Sequence, residues 1–115
     1  MSFAASDDSE PQPDLMIVDK QVPRGLHRHP GTALLAIEVA ESSLRFDRKV
    51  KAALYAEAGI PEYWLFDVVH RLVEVYSRPV KGKYQRMSKH SGDDVLSPRA
   101  FPDVEVPLAK VFPLR

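Results

Sequence analysis

The sequence predicts an α/β or α+β domain, a mixed β-sheet with one main helix packed on it, and three observations point there. A continuous apolar run, LLAIEVA (34–40), has the length and composition of a strand buried on both faces. An alanine-rich segment, FDRKVKAALYAEAG (46–59), follows it, and Gly59 with Pro61 supplies a helix stop. Then EYWLFDVV (62–69) and RLVEVYSRP (71–79), rich in aromatic and branched residues, meet at His70–Arg71 as the two arms of a hairpin would. Strands with one intervening helix fit a sheet covered by that helix.

Taken in order, residues 1–13 are polar and end in PQP, which reads as a disordered or extended lead-in because proline also drives its predecessor toward extended geometry. A single domain is expected over 14–115. DLMIV (14–18) is its first short strand, and 19–32 is a loop with two prolines, two glycines and an HRH cluster. The second strand spans about 33–40, and Asp47 is placed to cap the helix that follows. After the 62–69 and 71–79 strands, 83–88 is expected to add a third. SGDD (91–94) and the prolines at 98 and 102 read as loops, and VPLAKVF (106–112) as a last strand or helical turn.

The whole chain has 115 residues, 44% of them hydrophobic and 28% charged, as in an ordinary globular domain. No apolar run approaches the roughly 18 residues of a membrane span, and the amino terminus has no basic and apolar pair of regions for export, so a cytoplasmic location is expected. With no cysteine, disulfides, thiolate metal sites and cysteine nucleophiles are excluded. Sixteen basic and sixteen acidic residues balance. Their distribution is uneven, however: KGKYQRMSKH (81–90) carries Lys81, Lys83, Arg86 and Lys89 with no acid. That segment is either solvated surface or a phosphate-binding edge.

Glu38 is the anomaly, because it sits in the middle of an otherwise apolar strand. A buried carboxylate costs several kcal/mol or more unless it is paired, neutralised or bound to a metal. Asp14 opens the neighbouring strand, so two carboxylates could hold one hard divalent cation. Helical spacing places Lys51 on one face with Leu54, Tyr55 and Ala58, whereas Lys49 lies about 200° away and is expected to face water. Spacing alone leaves open whether Glu38 and Lys51 form a structural ion pair or part of a catalytic trio. His27 and His29 suggest a metal site but have no evident third ligand, and a solvated loop explains them. Tyr63, Trp64 and Phe66 read as packing residues, and Asp67 as a turn residue.

SEPQPDL (9–15), IEVAESS (37–43) with Ser42 and Ser43, and Asp47 with Lys51 in DRKVKAALYAEAGIPEYWLFD (47–67), then RLVEVY, together resemble the Uma-two family of endonucleases. That family belongs to the PD-(D/E)XK, restriction-endonuclease-like superfamily. The resemblance runs from about residue 9 to the end. It implies a restriction-endonuclease-like sheet and a magnesium-dependent, or manganese-dependent, endonuclease acting on DNA. It also implies that Asp14, Glu38 and Lys51 are the catalytic residues, with Asp14, Glu38 and the carbonyl of Val39 as metal ligands. The superfamily's commonest pattern puts the lysine two residues after the acid, where this chain has Ala40, so the resemblance implies a lysine moved to the helix. Relative to the family pattern, a helix and early strands before PD are missing, so a truncated copy with an exposed sheet edge would favour a homodimer. A noncatalytic remnant or interaction module, with the same residues as a structural Asp/Glu/Lys cluster, is the alternative expectation.

Overall fold

The computed structural model describes residues 15–18, 33–41 and 45–112. The lead-in, Asp14, the loop carrying His27 and His29, and Ser42 and Ser43 lie outside them. The elements in chain order are β1 (Leu15–Val18), β2 (Ala33–Ala40), α1 (Arg45–Glu57), β3 (Glu62–Asp67), β4 (Leu72–Val80), β5 (Lys83–Ser91), β6 (Val95–Leu96), β7 (Val106–Pro107) and α2 (Leu108–Val111). Strands β1 to β5 form one sheet in sequence order, with β2 and β3 parallel and every other pair antiparallel. Only the parallel pair needs a crossover, and α1 is that crossover. The result is the α+β, restriction-endonuclease-like architecture expected, a mixed sheet with one main helix on it.

Local chemistry explains the boundaries. The helix starts at Arg45, so Asp47 falls in its first turn rather than at its cap. It stops where Gly59 takes φ +80°, a left-handed conformation that glycine adopts without steric cost. Gly59 N–H then donates to Ala56 O (3.0 Å) and Ile60 N–H to Tyr55 O (3.1 Å), which satisfies two carbonyls of the last turn. The β4–β5 hairpin turns through Lys81 and Gly82, both at positive φ (52° and 79°), the geometry that matches the twist of paired strands. Strand β5 runs three residues past the expected 88, because its pairing with β4 continues through Glu74–Lys89 and Val73–His90 to Leu72–Ser91. β6, in a stretch to which no strand was assigned, pairs with β7: two residues are too few to show a period.

Alternation divides the sheet into two faces. On one, Ala36, Tyr63 and Leu65 pack against Tyr55 and Ile60 from α1 and its exit. On the other, Leu35, Trp64 and Val73 pack against Leu96 and Leu108 from the carboxy-terminal segment. The segment 106–112 therefore does both things its sequence allowed, pairing briefly as β7 and then turning as α2, whose Leu108 is fully buried. Among the described residues no helix is long and apolar enough to cross a membrane.

Candidate active site

Glu38 lies on β2 between Ala36 and Ala40, paired with Leu65 of the parallel neighbour β3. The two alanines on its face leave space for α1 to approach the sheet, and Glu38 ends 5% exposed beneath it. Lys51 and Tyr55, one turn apart on α1, both reach this carboxylate. Lys51 Nζ stands 3.3 Å from Glu38 Oε1, and the Tyr55 hydroxyl donates to Glu38 Oε2. The charge that looked out of place in the sequence is thus met by a cation and a hydrogen-bond donor.

Around this pair the α1 side of the sheet is polar. Tyr63, on β3, packs edge-on against Tyr55 with ring centroids 4.9 Å apart and nearly parallel to Tyr76 at 5.2 Å. Its hydroxyl is buried with no hydrogen-bond partner among the described residues. Burial first, then the Glu38 carboxylate and the Tyr76, Glu74 and Tyr84 side chains, push its pKa far above the ordinary tyrosine value, so Tyr63 stays neutral. Two strands from Glu38, Glu74 is 6% exposed and accepts from the Tyr76 hydroxyl at 2.6 Å. Asp67, at the end of β3 and 1% exposed, accepts from the His70 backbone N–H (3.0 Å) and lies 2.8 Å from His70 Nδ1. It closes the turn as the sequence suggested, but from inside the fold.

Of the residues singled out in the sequence, the structure brings Glu38 and Lys51 together. Asp14 lies outside the described residues, although β1, which it precedes, is paired to β2 with Leu15 opposite Ile37. Val39 points away from Glu38 and is 47% exposed. Among the described residues no three His, Asp or Glu side chains gather closely enough to hold a metal by themselves. Lys49 is exposed, as the helical phase leads one to expect, and it also lines a cavity of about 490 Å³ with Asp67, Glu74 and Lys89.

Glu74, Tyr63 and Tyr55 were not read as polar partners from the sequence. The signal was present for Glu74, since alternation separates it and Tyr76 from Val73 and Val75, which belong to the other face. For Tyr55 the i, i+4 spacing from Lys51 was the signal, but a tyrosine at such a position is ordinarily counted as packing.

The sequence profile of the Uma2 family, the Uma-two family named above, described as "Putative restriction endonuclease", matches residues 1–109. No curated protein matches the chain.

Proposed function

Because the chain belongs to the Uma2 family, we propose that it is a metal-dependent nuclease that hydrolyses phosphodiester bonds in DNA. The observation that carries the reading is the Glu38 carboxylate, buried mid-strand, with the Lys51 ammonium at 3.3 Å. Glu38 and Asp14 would hold the cation, with the Val39 carbonyl as a third oxygen donor. An all-oxygen set in a chain without cysteine suits a hard ion such as magnesium or manganese. Once bound, the ion supplies Lewis-acid polarisation of the phosphoryl oxygens and lowers the pKa of a bound water. Lys51 can orient the attacking water and offset the charge that develops on the phosphoryl group. Tyr55, by donating to the second oxygen of Glu38, restrains rotation of the carboxylate.

One observation favours a second reading, a noncatalytic interaction module. Glu38 already has Lys51 and Tyr55 as partners, so the cluster is self-sufficient as a structural ion pair. Calorimetric titration with magnesium or manganese, beside cleavage assays on plasmid and linear DNA, separates the two. For the nuclease, Glu38→Gln lowers ion affinity at least tenfold, about 1.4 kcal/mol, and Lys51→Ala abolishes cleavage while the fold persists. A parent protein that takes up neither ion and cuts no DNA establishes the structural module instead.

A further inference from the structure

A groove runs between α1 and the β4–β5 hairpin, made of the cavity of about 490 Å³ and a neighbour of about 380 Å³ that share Lys49 and Tyr76 as walls. Glu38 and Lys51 line neither. We propose that this groove binds a single strand of nucleic acid, its phosphates on Lys49, Lys83 and Lys89 and its bases against Tyr76 and Tyr84. The choice of nucleic acid rests on the nuclease reading; the placement rests on the groove itself.

Charge is the first argument. Lys49 borders the groove from α1 and Lys83 and Lys89 border it from β5, and all three are exposed. Lys81 and Arg86 belong to the same hairpin but line neither cavity. The structure therefore sorts the acid-free 81–90 segment into cations that face the groove and cations that do not. Opposing them are Asp67 and Glu74, which line the larger cavity and are held by His70 and Tyr76. Carboxylates there repel phosphate from the floor and leave the lysines at the rim as its partners.

The aromatic walls supply the second argument. Tyr76 and Tyr84 are half-buried with ring centroids 5.8 Å apart, and the hydroxyl of each is already engaged. Tyr76 donates to Glu74 and Tyr84 to the Ile60 carbonyl at 2.8 Å. What these residues offer a ligand is the ring surface that Tyr63, stacked against both, leaves uncovered, and every nucleobase has a π-face to stack on it, which is how non-sequence-specific single-strand sites combine cations with aromatics. Size decides between one strand and two: cavities of a few hundred Å³ are of the volume that takes small molecules, which suits an unpaired nucleotide and not a duplex.

Fluorescence anisotropy with labelled oligo-dT, and with a duplex of the same length, tests this in EDTA so that no strand is cut. The single strand is expected to bind more tightly than the duplex. Replacing Lys49, Lys83 and Lys89 by alanine together should weaken oligo-dT binding at least tenfold. It should also lower the slope of log affinity against log salt by about 0.7 for each phosphate that is no longer neutralised, about 2 in all. Replacing Lys81 and Arg86 by alanine should change affinity less than twofold. Equal losses from the two sets of substitutions, unchanged binding in the triple variant, or a preference for the duplex each overturn the groove assignment. Glu38→Gln distinguishes its failure from that of the nuclease reading, since that variant should bind oligo-dT like the parent and lose only cleavage. A parent that binds through the three lysines yet cuts nothing keeps the groove and removes the nuclease.

Discussion

Among the described residues, the face of the sheet under α1 buries Glu38, Asp67 and Glu74 among tyrosines, whereas the opposite face buries Leu35, Trp64, Val73, Leu96 and Leu108 around a single carboxylate, Glu62. Both faces hide charge, so burial alone does not separate them. The donors do. Glu62 accepts from the Trp64 indole at 2.9 Å and the Arg99 backbone N–H at 2.8 Å, both fixed by packing and by the chain. Glu38 and Asp67 are met by side chains that carry protons of their own, Lys51, Tyr55 and His70, and beside them the Tyr63 hydroxyl has no partner among the described residues. One face is largely closed by its packing, with a cavity of about 170 Å³ at its edge beside Arg71 and Phe112. The other joins ionisable groups to cavities of about 490 and 380 Å³, which is what a site for chemistry or binding requires.

The contrast between the faces breaks first at Trp64. This side chain is 2% exposed, fills the closed face and carries one of the donors to Glu62, so Trp64→Ala should cost about 3–5 kcal/mol by cavity formation, read as a lower urea midpoint. A cost below about 1 kcal/mol would show that the carboxy-terminal segment does not seal that face. On the α1 side, Tyr55→Phe keeps the ring and deletes the hydroxyl that donates to Glu38, so a loss of about 1.5–3 kcal/mol is expected, the range for a hydrogen bond to a charged group. An unchanged midpoint would mean that the Tyr55 hydroxyl contributes nothing to holding the carboxylate.

Tyr63→Phe sharpens the contrast with the smallest effect. Removing a buried hydroxyl without a partner should leave stability unchanged or raise it by about 1 kcal/mol at neutral pH, opposite in sign to Tyr55→Phe. At alkaline pH the two proteins part further. Tyr63 keeps its proton in the folded state while the unfolded chain releases it above pH about 10, so the unfolded state then binds fewer protons and parental stability falls as pH rises. That group contributes a slope approaching about 1.4 kcal/mol per pH unit above pH 10 and none well below it. Urea midpoints between pH 9 and 11 should show a shallower decline in Tyr63→Phe; parallel curves would show that Tyr63 ionises in the folded state as readily as in the unfolded one.

What the sequence determined by itself was whatever depends on neighbours along the chain. The limits of β2, the helix stop at Gly59 and the hairpin turn at Lys81–Gly82 follow from composition, period and the conformational freedom of glycine. So does the phase that set Lys51 and Tyr55 on one side of α1 and Lys49 on another. The oddness of Glu38 was equally legible, because a charge in an apolar strand is anomalous wherever the strand lies. Its partners were only half legible: Lys51 could be named from helical phase, but Tyr55 read as packing until the sheet and helix met. Tertiary structure alone decided that both flanks of α1 are occupied, with Lys51 over Glu38 and Lys49 over the β4–β5 groove. A helix presents all its faces equally in sequence, and only the sheet beneath it, whose strand order and crossover arise from pairings distant along the chain, determines which faces look onto a site and which onto water.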